Sequence, residues 1–191
     1  MPKSRPEAIS YICDWLMKKN PREIKSVLDI GCGFGKWGFL IRLYLQLWVV
    51  DILKEDYQNY KKGLRIDAIE LYEPYITNLQ REIYNNIVIG DVRELIKSAD
   101  FYDLIIMGDV LEHISFKDGM AVLREALKKS KYLIIAMPGY FEKGAPFMGN
   151  DAEIHQYVWQ DSDFPYNPKI VNIGNQRVII YDNFELFLTL H

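Results

Sequence analysis

Residues 26–38 read Ser26-Val27-Leu28-Asp29-Ile30-Gly31-Cys32-Gly33-Phe34-Gly35-Lys36-Trp37-Gly38, and this stretch decides the fold. An apolar run from Ser26 to Ile30 breaks into glycines at 31, 33 and 35. From Lys36 to about Trp48 the chain is then apolar nearly all round, with a thin polar strip at Arg42 and Gln46. That is a strand, a turn and a helix. Glycine lets the backbone bend sharply and come close to a ligand, and a helix that is greasy on most sides packs between a sheet and a second layer.

On the N-terminal side, Ser4-x-x-Glu7 has capping-box spacing, and Ile9, Ile12 and Leu16 share one face until Asn20-Pro21, which predicts an amphipathic helix. On the other side, Ile66, Ala68, Ile69 and Leu71 make a second apolar run. Pro74 suits a first helical turn, and Tyr75, Ile76, Leu79 and Ile83 continue at helical spacing. Ile87–Ile89 reads as a third strand, Val92–Lys97 as a short helix, and Tyr102–Met107 as a strand buried inside a parallel sheet. Ser115-x-x-Asp118 opens a helix with Phe116, Met120, Leu123 and Leu127 as its buried stripe, and Tyr132–Ala136 is a fifth strand.

Strands alternating with helices predict an α/β fold: a doubly wound, mostly parallel, Rossmann-like sheet with helices on both faces. In the tail, Lys169–Ile173, Arg177–Tyr181 and Phe184–Leu190 are extended runs, with Gly174-Asn175 as a hairpin signal, so two of the three are expected to form an antiparallel C-terminal edge. Residues 1–191 are read as one domain, with an insertion near 49–64 and a candidate lid loop near 139–164.

Composition narrows the function. Hydrophobic residues at 49 % and charged residues at 26 % support a packed core and oppose disorder. With 23 Lys plus Arg against 26 Asp plus Glu, the formal charge is -3, so no net cationic field draws in a nucleic acid or an anionic membrane. Two cysteines, Cys13 and Cys32, without a CxxC pair, predict neither a disulfide framework nor a metal site, and suit a cytoplasmic setting. No secretory signal follows Met1-Pro-Lys-Ser-Arg5, and the run from Trp37 to Val50 is too interrupted for a membrane span. The Leu45–Leu53 stretch is either core or a surface for a homo-oligomer.

An open parallel sheet binds its ligand beyond the carboxyl ends of the strands, where strand order reverses. Four features fall at such ends: Asp29 with its glycines, Glu70, Gly90-Asp91, and Met107-Gly-Asp-Val-Leu-Glu-His113. Glu70 is the natural ribose ligand, since it ends an apolar run, whereas Glu73 precedes Pro74 as a helix cap would. In that order, over about Val27 to Pro138, these features resemble the class I S-adenosylmethionine-dependent methyltransferases. The resemblance implies S-adenosylmethionine as cofactor and methyl transfer as activity. It implies that Asp29 and the backbone of Gly31, Cys32, Gly33 and Gly35 hold the methionine end. Glu70 would hold the ribose, Asp91 and Val92 would frame the adenine, and Asp109 would lie beside the methyl-bearing end. The acidic balance favours a small-molecule acceptor over nucleic acid.

Two rival readings stand beside this one. Gly33-Phe-Gly-Lys-Trp-Gly38 matches G-x-G-x-x-G, which suggests an NAD(P)- or other dinucleotide-binding protein. Against it, the Asp29 carboxylate would repel a pyrophosphate and attract an ammonium group. The other rival is a catalytically silent module that only holds an adenosyl ligand. His113 and His155 are the catalytic candidates, either orienting an acceptor or taking its proton, and a purely structural role is their bland alternative. The loop with Tyr140, Phe141, Phe147, Tyr157 and Trp159 is a lid or a plug. Phe34 and Trp37 either face a sulfonium or belong to the core, and Cys32 is expected to fill space.

Overall fold

A computed structural model describes residues 6–19, 23–47, 63–140, 144–147 and 149–182. The strands are β1 (Ser26–Ile30), β2 (Arg65–Glu70), β3 (Asn86–Ile89), β4 (Tyr102–Gly108), β5 (Ser130–Pro138), β6 (Lys169–Ile173) and β7 (Gln176–Asp182). The helices are α1 (Glu7–Lys18), α2 (Lys36–Arg42), α3 (Asn78–Ile83), α4 (Val92–Ser98) and α5 (Phe116–Lys128).

The seven strands form one sheet in the order β3-β2-β1-β4-β5-β7-β6. β1 to β5 run parallel, while β7 pairs antiparallel with both β5 and β6. Strand order reverses between β1 and β4, so the crevice predicted for a ligand opens beyond Ile30 and Gly108. Alternation along each strand serves both faces. Val27, Ile66, Leu104, Ile134 and Val178 pack on one side with α1 and α2 residues such as Ile12, Leu16 and Ile41. Leu28, Ile69, Ile105, Leu133 and Ile179 pack on the other with α4 and α5 residues such as Ile96 and Leu123. A parallel strand covered on both faces is near-continuously apolar, as Leu104–Met107 and Tyr132–Met137 are, whereas β1 and β2 interrupt the run with the buried Asp29 and Asp67.

Several local expectations are corrected. α1 begins after Pro6 with no side-chain cap, and Ser4 lies outside the described residues. The helix expected from Pro74 onwards divides in two: a 3-10 turn over Glu73–Tyr75, an extended Ile76, then α3. The cause is Thr77, which caps α3 by accepting the Leu79 N–H and shares a capping box with Gln80. α2 continues as a π-helical segment, Leu43–Leu47. The polar strip of Arg42 and Gln46 is internally bonded, and the Arg42 side chain is buried, donating to Gln46, Asn85 and the carbonyls of Leu64 and Ile83. The buried face of α5 is Gly119, Val122, Leu123, Ala126 and Leu127, rotated from the predicted stripe, with Phe116 exposed. The third extended tail run and nearly all of the expected insertion fall outside the described residues, as does the Leu45–Leu53 stretch beyond Leu47; Leu45 itself is core. No helix among the described residues is long and apolar enough to cross a membrane.

Candidate active site

A cavity of about 1140 Å³ opens at the carboxyl end of the sheet, lined by residues that follow β1, β2, β3, β4 and β5. Of the residues expected in a cofactor site, Gly31, Cys32, Gly33, Glu70, Asp91, Val92 and Asp109 all line it, and so do His113 and His155. Glu73 does not. Two expected residues stand apart from the wall: Asp29, and Gly35, whose φ of 84° turns the chain into α2.

The turn after β1 is tied back to β2. The N–H groups of Gly31 and Cys32 donate to the Ile69 carbonyl at 2.8 and 3.3 Å, that of Gly33 to the Glu70 carboxylate at 2.8 Å, and that of Gly35 to the Cys32 carbonyl at 2.8 Å. Gly31 sits at φ +71°, and a Cβ there would lie 2.5 Å from the Val110 side chain, so only glycine leaves the crevice between β1 and β4 open. The other Glu70 oxygen accepts the Tyr72 N–H at 2.9 Å. Burial pushes the Glu70 carboxyl upward while the N–H groups of Tyr72, Gly33 and Leu71 pull it down. A carboxylate has about four lone-pair sites, so room remains for a ligand hydroxyl.

Asp29 lies on the opposite face of β1, beneath α2. It is fully buried, and its Oδ2 accepts the Tyr84 hydroxyl at 2.5 Å and the Gly38 N–H at 3.2 Å. It thereby caps a helix whose own N-cap, Gly35, has no side chain to do so. It bears on the cavity wall through the position of the turn and through the field at Lys36. The Lys36 ammonium is buried with no hydrogen-bond partner among the described residues, 4.2 Å from the centre of the Trp37 ring, and lines the cavity. Burial lowers its pKa against the opposing charges of Asp109 and Asp29. Sequence reading missed Lys36 as a site residue because a lysine at the start of a helix looks solvated.

After β3, Asp91 caps α4 by accepting the Arg93 N–H at 2.9 Å and also pairs with the Arg93 guanidinium, which holds its carboxyl below the usual range. After β4, Asp109 adopts φ 57°, an uncommon backbone for a non-glycine residue, and its N–H donates to the Ala136 carbonyl at 2.7 Å. Leu111–His113 then form a 3-10 turn. Its Glu112 is buried, and neither carboxylate oxygen has a hydrogen-bond partner among the described residues. Burial, with Asp109 and Glu153 nearby, raises the Glu112 carboxyl well above its ordinary value. Burial and the neighbouring His155 push His113 down to about 4.

The loop after β5 divides between the cavity wall and the core. Tyr140, Gly144–Phe147, Ala152, Glu153 and His155 line the cavity, whereas Trp159 and Phe164 are buried in the core on the α4–α5 side. Two hydrogen bonds hold it beside the cavity, and the Trp159 indole N–H donates to the Leu111 carbonyl further on. The Tyr75 hydroxyl donates to Glu153 at 2.9 Å, and the Gln156 N–H donates to the Glu112 carbonyl at 2.7 Å. The second bond sets the His155 ring against His113, with centroids 4.8 Å apart. Phe141 lies outside the described residues. Trp37 proves to be both core and cavity wall, and Phe34 is half exposed beside Tyr75. The Cys32 thiol is buried and pushed far up by burial, which fits a space-filling role and not a nucleophilic one.

This geometry separates the candidate ligands. A pyrophosphate needs free N–H groups at a glycine turn and a helix start, yet here those of Gly31, Cys32, Gly33, Gly35 and Gly38 all have acceptors within the chain. The third glycine of the G-x-G-x-x-G match has a packing reason instead: a Cβ on Gly38 would lie 2.3 Å from the Tyr84 ring. Glu70, Asp91, Asp109 and Glu153 outnumber Lys36 and Arg93 on the wall, which favours a cationic ligand. The wall thus offers a carboxylate at Glu70, apolar surface at Ile69, Leu71 and Val92, further acidic residues, and the Lys36 ammonium.

A family model described as a methyltransferase domain matches residues 5–170. No curated protein sequence matches the chain. Among solved structures, it resembles a SAM-dependent methyltransferase from Archaeoglobus fulgidus with a TM-score of 0.61 at 16 % identity, covering 91 % of this chain and 90 % of that one. It also resembles magnesium protoporphyrin IX methyltransferase from Synechocystis PCC 6803 with bound SAH, with a TM-score of 0.59 at 15 % identity, covering 93 % and 82 %. An O-methyltransferase family protein from Burkholderia thailandensis matches with a TM-score of 0.57 at 12 % identity; the match covers 90 % of this chain but only 55 % of that protein.

Proposed function

The chain belongs to the methyltransferase domain family, and on that premise we propose that it transfers the methyl group of S-adenosylmethionine to a small-molecule acceptor by in-line displacement. The observation that carries this reading is the Glu70 carboxylate at the cavity wall, held by backbone N–H groups including those of Gly33 and Tyr72, with acceptor capacity left for a hydroxyl.

S-adenosylmethionine supplies a methyl group already activated by the positive sulfur, so the protein's contribution is alignment and exclusion of water. Glu70 orients the ribose. Asp91 and Val92, at the start of α4, frame the base together with Leu71. Lys36 neutralises the methionine carboxylate, and Asp109 gives the sulfonium an acidic neighbour. Asp29 acts through α2 and the glycine turn, as a positioning residue. The acceptor lies toward β4 and β5, under the loop that Tyr75 and Glu112 pin down, where His113 and His155 meet it. This roofed cavity suits a small molecule better than a polymer. The free, buried thiols of Cys13 and Cys32 suit a reducing, cytoplasmic setting.

The test is to incubate the protein with S-adenosylmethionine labelled at the methyl group and a fractionated cell extract. The reading expects label in a small-molecule fraction, lost in Glu70→Ala. Saturable cofactor binding with no label transferred to any fraction would instead mark a silent adenosyl-binding module.

A further inference from the structure

Glu112, His113 and His155 bring one carboxylate and two imidazoles together, with donor atoms that all lie within 4.8 Å of one another. The geometry points to a divalent transition-metal site in the acceptor half of the cavity, formed by these three side chains. Three features carry the inference. Glu112 is 4 % exposed, and neither of its carboxylate oxygens has a hydrogen-bond partner among the described residues. A buried carboxylate without partners is costly unless a cation or donors satisfy it. The Nδ1 atom of His113 is likewise buried and without a partner. The two ring systems and the carboxylate are also fixed relative to one another by backbone, since the Gln156 N–H, one residue after His155, donates to the carbonyl of Glu112 itself at 2.7 Å.

Donors bound to one ion at about 2.0–2.2 Å lie roughly 3–3.5 Å apart, so side-chain rotations of about 1 Å close the cluster. Two imidazoles with one carboxylate are softer than the all-oxygen shells of magnesium or calcium and suit zinc, manganese, cobalt or iron. Three protein ligands leave coordination positions open, as in metal sites that act on substrates. All three side chains line the cavity, and the carboxylates of Asp109 and Glu153 add to the local negative potential. The open positions therefore face the acceptor, whose class is one with an oxygen donor able to complete the coordination shell. That last step rests on the methyl-transfer reading; the cation site does not.

The test uses untagged, chelator-treated protein titrated with Co²⁺ by absorbance and with Zn²⁺ by calorimetry. One ion per chain is expected, with affinity reduced at least about 100-fold in His155→Ala and in Glu112→Gln, since even outer-shell changes cost 10–100-fold. Calorimetry with S-adenosylhomocysteine on the same samples checks that each is folded, and the partly exposed His155 decides the matter if Glu112→Gln is unstable. Homocysteine-adduct binding without cation uptake, or variants that bind cations as the parent does, overturns the site. Cation uptake lost in His155→Ala, in a parent that binds no S-adenosylhomocysteine, supports the site and overturns the methyl-transfer reading alone.

Discussion

The Glu70 carboxylate accepts the Gly33 backbone N–H at 2.8 Å, so the end of β2 and the turn after β1 are one unit. The contact removes a turn N–H from any phosphate and fixes the carboxylate for hydroxyl groups. Its loss should be felt by the ligand more than by the fold. Glu70→Ala is expected to weaken S-adenosylhomocysteine binding by about 100-fold, the loss of charge-assisted hydrogen bonds worth about 1.5–3 kcal/mol each. Glu73→Ala, outside the cavity wall, should leave binding unchanged. Calorimetric titration of the two variants checks both.

Gly38 shows which glycine serves packing. Because a Cβ there would lie 2.3 Å from the Tyr84 ring, Gly38→Ala should destabilise the protein by about 1–3 kcal/mol, the usual cost of overpacking. Urea denaturation measures this directly. A neutral result would mean that Tyr84 moves aside freely and that its bond to Asp29 matters little.

Asp29 makes stability depend on pH. Burial pushes its carboxyl up to about 6, outweighing the Tyr84 hydroxyl, the Gly38 N–H and Lys36, with Glu70 adding a small upward push. The folded protein then holds a proton that the unfolded chain releases, so this group's stabilising contribution is full below about pH 4 and is lost as pH rises through about 6. A shift of about two units corresponds to about 3 kcal/mol. Asp29→Asn cannot ionise, so its stability relative to the parent should rise by up to that amount between pH 4 and pH 7. A difference constant with pH, followed by thermal melts, would contradict the assignment.

Arg42 ties α2 to the residue before β2, to the end of α3 and to Asn85 just before β3. Its guanidinium donates to the carbonyls of Leu64 and Ile83 and to Asn85, all within 3.0 Å. Arg42→Met keeps the bulk and strands those acceptors, so a loss of about 3 kcal/mol is expected, consistent with about 1–3 kcal/mol for each unsatisfied group. Chemical denaturation reads it.

The order of the parallel elements was legible because each strand is a short, mostly apolar run ended by glycine, acid or proline and followed by a helical pattern. The hairpin at Gly174-Asn175 was legible from turn chemistry, and β6 and β7 flank it as expected. The carboxylate choice between Glu70 and Glu73 followed from strand position alone, and Glu70 is the one at the cavity wall. Side-chain direction was less legible. Asp29 sits in the motif, but strand pleating turns it under α2, away from the cavity. Arg42 read only as part of a thin polar strip, because nothing local announces the carbonyls of Leu64 and Ile83. The Glu112, His113 and His155 cluster was hidden because it joins two loops about forty residues apart, through a backbone bond that no local pattern encodes. Helix starts misled where a cap within the segment, Thr77, overrode the proline signal before it.

The most direct measurement is a calorimetric titration of the purified chain with S-adenosylhomocysteine and, separately, with NAD. The cavity's acidic wall and committed turn N–H groups predict saturable binding of the adenosyl thioether at one site per chain and no heat with the dinucleotide. Saturable NAD binding with no response to S-adenosylhomocysteine would contradict the account.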